Sequence, residues 1–321
     1  MTAEITVARV RGIPVRVAPS ALIVFVVVAW TLGSGYFPHV LPALDPAAAW
    51  AHGVAAAVAL LLSVVLHELA HAFVARAHGV SVGGITLHVL GGVSELNDEP
   101  ASPRAEAVIA IAGPLASFVI AAFVFAAHEA AVPGTSTSAF LAYVALANLL
   151  LGAFNLVPAF PLDGGRLLRA ALWAWDGRLD RATRRASRFS TLLAVALIAL
   201  GAVRGLAGDA ISGLWLAMIG VFLHRAARSS GELATVRGHL ERVRVADLMA
   251  PGRGNGGPLA PDAVVAPGDS AWLAFLRLAK TRSRRLDVVD DGAVVGAIDQ
   301  ADIRQALARA RAGRGPVPRA A

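Results

Sequence analysis

Six apolar runs, at roughly residues 20–36, 48–76, 104–128, 139–157, 189–207 and 210–225, constrain this chain more than any other feature. About 20 helical residues cross the ~30 Å hydrocarbon core of a bilayer. In that medium the backbone must satisfy its own hydrogen bonds, which selects helices or closed barrels. One or two such runs could be targeting segments; six cannot. The first run starts near Ala21 with no clear small-residue cleavage site after it, so it is expected to stay as an anchor. A chain that is 56% hydrophobic and 16% charged is read as an all-α polytopic membrane protein of six transmembrane helices.

Charge placement orients it. The net charge of +7 is carried almost wholly by arginine, since Lys280 is the only lysine, and the arginines flank the apolar runs. That suits lipid headgroups, and nucleic acid is not an expected partner. Arg9, Arg11 and Arg16 precede the first run, Arg76 and Arg104 bracket the loop after the second, and seven arginines lie between Arg166 and Arg188. The 33–47 and 129–138 loops carry neither lysine nor arginine. Positive loops stay inside, so a multi-pass plasma-membrane protein with both termini cytoplasmic is expected.

Between the second and third runs, SVGGITLHVLGGVSEL is too glycine-rich and β-branched for a helix and reads as a small membrane-associated β-hairpin or sheet. From about residue 240 the composition changes to that of a soluble α+β unit, with a glycine-rich tract from Gly252 to Gly257. The expected organisation is a membrane domain over 1–228, a linker over 229–259, an α+β unit over 260–312 and a disordered tail over 313–321.

The second run contains VVLHELAHAF. His67 and His71 stand four residues apart, so on a helix their imidazoles share one face and can share a metal ion. Glu68, turned about 100° away, can reach a water at that ion without being a ligand. An ionisable group at mid-membrane costs about 2.5 kcal/mol or more unless paired, and a metal ion offers that pairing. With no cysteine in the chain, ligands must be His, Asp or Glu. Two imidazoles leave a tetrahedral zinc short of one protein ligand and one open position. Asp163, in NLVPAFPLDGGR at the cytoplasmic end of the fourth run, is the best candidate for the third ligand. Pro158 and Pro161 break the helix before it, and Gly164 and Gly165 permit close backbone approach after it.

Asn155 is either a donor to a developing oxyanion or a helix-packing amide, and the same two readings stand for Asn148. The hairpin carrying Gly91 and Gly92 is a candidate edge on which an unwound substrate peptide could add as a strand. The remaining histidines lack metal spacing and read as structural.

HELAH at 67–71, LGGV at 90–93, AGPLAS at 112–117 and NLVPAFPLDGGR at 155–166, in this order and spacing, resemble the site-2 protease family of intramembrane zinc metalloproteases, over about residues 10–225. The resemblance implies one Zn2+ per chain held by His67, His71 and Asp163, with Glu68 as general base and acid. It also implies single-span membrane proteins as substrates, cut in regulated intramembrane proteolysis. Ser117 stands where asparagine is frequent in the family, a departure that removes the usual amide.

RVRVADLMAPG, RRLDVVDDGAVVGAID and QADI resemble a CBS module, as in the bacterial and archaeal branch of that family. That resemblance implies an adenine nucleotide with its ribose at Asp302, although Asp299 replaces the usual Thr or Ser. One module implies pairing into a homodimer through this unit, or a degenerate unit that only contacts partners. Two rival functions keep the same polar groups: a zinc hydrolase of a small lipid-like molecule, and a CBS-regulated cation transporter.

Overall fold

The computed structural model describes residues 4–88, 91–96, 99–252, 264–281 and 283–311. The expected tail at 313–321 and most of the glycine-rich tract lie outside the described residues. The chain divides into two compact units, 1–227 and 228–321.

The first unit opens with a β-hairpin, β1 (Ile5–Val10) and β2 (Ile13–Val17). The sequence reading, which takes only the charge of Arg9, Arg11 and Arg16 from this segment, does not include this hairpin. Val10 pairs with Ile13 across a two-residue turn, Arg11-Gly12, in which both φ angles are positive. Such a turn matches the twist of the flanking strands. Helix α1 (Pro19–Thr31) follows, passing through a π-type turn at Leu32–Tyr36 into the short α2 (Phe37–Val40). Next comes α3 (Pro46–Ala77), started by Asp45, whose carboxylate accepts from the N–H groups of Ala47 and Ala48. Pro46 occupies the first helical position, where its missing N–H costs nothing.

The expected hairpin is present as β3 (Val82–His88) and β4 (Gly91–Leu96). It joins the N-terminal pair in one sheet of order β1-β2-β3-β4, antiparallel except for the parallel β2–β3 pairing. Ile13 of β2 and Ile85 of β3 are fully buried against Leu69 and Ala72 of α3. The sheet is thereby seated on the helix turn that carries the histidines.

Helices α4 (Pro103–Ala130), α5 (Ser136–Asn155), α6 (Asp163–Asp176), α7 (Leu179–Leu206) and α8 (Ala210–Leu240) complete the helical set. Six helical stretches among the described residues are long and apolar enough to cross a membrane, matching the six runs read from the sequence. Their outward faces carry large apolar side chains, such as Leu22, Ile23, Val26 and Trp30 on α1 and Phe123 on α4. That surface suits lipid and would be costly in water.

Two helices exceed their expected limits. Helix α7 begins at Leu179 rather than near 189, because its first turns neutralise their own arginines: Asp180 pairs with Arg178 and Arg184, and Asp176 with Arg185. Helix α8 runs to Leu240 rather than ending near 225. The stretch expected as a linker from 229 is thus helical for its first twelve residues, supported by i,i+4 pairs of Arg228 with Glu232 and Arg237 with Glu241.

The amphipathic α6 lies within the segment whose arginines mark a positive loop in the sequence. It docks through Glu106, a wholly buried carboxylate in the first turns of α4, which accepts from Arg166 at 3.1 Å and Arg169 at 2.5 Å. Removing one partner of a buried ion pair strands the other charge and costs about 3–5 kcal/mol. Glu106→Ala should therefore lower stability by about that amount. In detergent this is read as a marked fall in thermal midpoint; an unchanged midpoint would mean that the clamp contributes nothing.

In the second unit, β5 (Ala250–Pro251), β6 (Val264–Val265), β7 (Arg285–Asp290) and β8 (Ala293–Asp299) form a sheet of order β5-β8-β7-β6, with helices α9 (Ala271–Thr281) and α10 (Gln300–Arg311). Its core contains Leu240, Val245 and Leu248 alongside Leu286, Val288 and Ile298. The unit therefore begins before the glycine-rich tract instead of after it, because the apolar positions of RVRVADLM need cover. Asp299 and Asp302 cap α10 reciprocally: the Asp302 N–H donates to Asp299 Oδ1 at 3.0 Å, and the Asp299 N–H donates to Asp302 Oδ2 at 3.1 Å. The Asp302 N–H, followed by the Ala301 N–H and the charge of Arg285, holds the Asp299 carboxyl below the usual range despite slight burial.

Candidate metal centre

His67 and His71 lie on the last third of α3 and Asp163 is the first residue of α6; all three are buried. They meet because the chain reverses tightly between α5 and α6. A Cβ on Gly164 would strike the backbone of Leu156 and Val157, and one on Gly165 the backbone of Ala159 and Phe160. The sequence expectation of close approach at these two glycines has this physical form. The Phe160 N–H, freed from helix, donates to Ser190 Oγ of α7 at 2.9 Å.

The three donor atoms form a nearly equilateral triangle. His67 Nε2 and His71 Nε2 are each 3.1 Å from Asp163 Oδ2 and 3.2 Å from one another. Zinc bonds of about 2.0–2.1 Å in a tetrahedron separate neighbouring ligand atoms by about 3.3 Å. The triangle fits that ion. Among the described residues it is the one group of three or more His, Asp or Glu side chains close enough to hold a metal.

Hydrogen bonds behind the rings set the donor atoms. His71 Nδ1 is 2.7 Å from the carbonyl of Ile109, which can only accept, so Nδ1 carries the proton and Nε2 presents its lone pair. His67 Nδ1 is 2.9 Å from Ser117 Oγ, buried in α4. Outer partners of this kind orient metal-binding imidazoles. The family's frequent asparagine is absent, yet a hydroxyl at 117 still reaches the histidine. The signal available was a lone serine in an apolar helix, four residues after Gly113.

Gly113 explains why α4 can pass so close. A Cβ there would run into Nε2 of both histidines. Glu68 is half-buried beside the triangle. Its Oε2 accepts from Ser94 Oγ of β4 at 2.6 Å, and a Cβ on Gly92 would strike its side chain. Of the hairpin glycines, Gly92 thus abuts Glu68, while Gly91 holds a positive φ of 114° at the start of β4.

Asn155 ends α5 and donates to the Leu151 carbonyl of its own helix at 2.9 Å. Asn148 donates to Ser63 Oγ of α3 and to the Val144 carbonyl, each at 2.9 Å, tying the two helices together one turn before His67. Asp302 belongs to the second unit, where it caps α10.

A family model described as "Peptidase family M50" matches residues 55–133 and 124–200, segments that contain all three donors. Rip3 of Mycobacterium tuberculosis is 40% identical over 253 residues, covering 78% of this chain and 64% of that relative. The present chain thus spans about two-thirds of the length of that relative. The zinc metalloprotease MJ0392 of Methanocaldococcus jannaschii is 31% identical over 248 residues, 77% of this chain and 68% of the relative. A solved structure, the site-2 protease from Methanocaldococcus jannaschii, superposes with a TM-score of 0.50 at 30% identity, over 71% of this chain and 95% of that one. With its buried His67–His71–Asp163 triangle inside the matched segments and relatives followed over most of their length, the chain belongs to peptidase family M50.

Proposed function

We propose that this chain is an intramembrane zinc endopeptidase that cuts other membrane proteins in or near their transmembrane segments. The observation that carries the reading is a three-donor triangle of zinc dimensions, with a carboxylate alongside, whose two histidines lie on α3, a helix long and apolar enough to cross a membrane. His67, His71 and Asp163 would hold the ion. The chemistry it supplies when bound is Lewis acidity, which acidifies a water and polarises an amide carbonyl.

The remaining work falls to the chain's own side chains. The Ile109 carbonyl holds His71 in the tautomer that offers Nε2, and Ser117 holds the His67 ring in place through Nδ1. Glu68 takes a proton from the attacking water as its oxygen bonds to the carbonyl carbon, then delivers that proton to the amide nitrogen as the C–N bond breaks. Asn155 is a candidate for stabilising the oxyanion, through the amide hydrogen not used within its helix. Among the described residues β4 pairs only with β3, so it supplies a sheet edge on which an unwound substrate can add.

Single-span membrane proteins are the proposed substrates and the plasma membrane the proposed location, and the arginine distribution supports cytoplasmic placement of both termini. The second unit is proposed as a CBS-like regulatory module. A cleft of about 270 Å³ between α9 and α10, lined by Phe275, Leu278, Ile303 and Leu307 among others, supports pairing with a second copy. Capping by Asp302 supports a structural role for that residue over ribose binding.

Cleavage of a single-span protein by the purified chain in lipid vesicles tests the reading. Treatment with 1,10-phenanthroline should stop it, and about one equivalent of zinc per chain should restore it. Hydrolysis of an ester lipid without peptide cleavage, or cation flux without hydrolysis, would replace the reading with one of its two rivals.

A further inference from the structure

We infer that Ser94, on the edge strand β4, is a positioning residue for Glu68, an inference that rests on the endopeptidase reading above. A glutamate has three side-chain torsions to fix, and a general base works only when held within hydrogen-bond reach of the proton it takes. Glu68 is half-buried on α3, and its own helix holds its backbone rather than its carboxylate. What reaches the carboxylate is Ser94, whose Oγ lies 2.6 Å from Oε2. That length is typical of a hydroxyl donating to an ionised carboxylate. The same Oγ is 3.4 Å from the Glu68 carbonyl, and with a single hydrogen to give, the hydroxyl spends it on the nearer, charged oxygen.

The strand is built to bring that short side chain into range. Residues 92 and 94 share one face of β4, since side chains alternate along a strand. At 92 any Cβ would strike Glu68, so glycine is what allows the strand to approach. Across the ladder Ser94 pairs with Ile85, which is fully buried against Leu69 and Ala72 of the same helix. Gly92, Ser94 and Ile85 therefore form one contact face against α3, with Ser94 its polar member. The strand that offers an edge for an extended peptide also sets the catalytic base.

The test uses the full chain. For the zinc-loaded protein, S94A should lower kcat about tenfold or more, the scale of a lost hydrogen bond to a charged group. KM and zinc content should stay within about twofold, and S94T, which keeps the hydroxyl, should recover most of the rate. For the zinc-free protein, hydrogen–deuterium exchange over residues 91–96 should rise in S94A and in E68A, and S94A should add nothing in the E68A background. A wild-type kcat in S94A, an equal loss in S94A and S94T, or an additive exchange effect would each overturn the inference while leaving the endopeptidase reading intact. A wild-type chain that cleaves no membrane protein with zinc bound would overturn both.

Discussion

Glu68→Gln should lower peptide cleavage by about 10²–10⁴-fold, the usual contribution of a positioned acid–base group, while zinc remains bound. Glutamine has nearly the same shape and can still accept from Ser94, so strand β4 and the helix beneath it keep their places. What it lacks is the ability to take a proton from water and give it to the leaving nitrogen. The donor triangle is made by His67, His71 and Asp163 without Glu68, so metal content should not change. Zinc per chain by elemental analysis and initial cleavage rates on one preparation give both quantities. Unchanged cleavage would sink the role of Glu68, and loss of zinc together with cleavage would make it a ligand instead. The same variant, inactive but metal-loaded, should retain substrates well enough to identify them by co-purification.

Gly113→Ala should weaken zinc binding by about 100-fold or more, the upper range seen when groups supporting a metal site are disturbed. The added methyl has no space, because it would meet Nε2 of both histidines, the two atoms that must face the ion. Retreat of α4 is opposed by the Glu106 clamp to α6 near its start. The rings would have to turn, and turning His71 breaks its 2.7 Å bond to the Ile109 carbonyl. Competition against a chromophoric chelator measures the affinity, and cleavage at fixed zinc should fall in proportion. An affinity within threefold of wild type would show that α4 yields more readily than its packing indicates.

Much of the site was legible in the chain. His67, Glu68 and His71 are polar groups in a run where each is costly, and their spacing fixes their relation on any helix. Asp163 could be sought by topology, because arginine placement puts the end of the fourth run and the second half of the second at the same membrane face. Two prolines and two glycines around Asp163 marked a tight reversal, and Gly164 and Gly165 are indeed where the backbone meets itself.

Other features left weaker marks. β1 and β2 alternate apolar residues across an Arg-Gly turn, but Arg9 falls in the register of Ile5 and Val7 and obscures the strand period. Helix α6 lay hidden in a positive segment, because its arginines look solvated until Glu106, 60 residues away in the chain, is brought beside Arg166. The helix over 229–240 reads as linker because its few apolar residues, such as Ala234 and Leu240, are buried only once the rest of the second unit is in place.

The sequence by itself determined six membrane helices, a hairpin between the second and third, an α+β end and the donor set of a metal site, since hydrocarbon thickness, helical period and charge cost act on local stretches of chain. Only the tertiary structure decided that Ser117 stands behind His67, that Gly113 must be bare for α4 to pass, and that Gly92 and Ser94 lie against Glu68. These relations join residues 24 to 50 positions apart on different elements. Their chemistry is a matter of tenths of an ångström between packed backbones, and no spacing within one element encodes that.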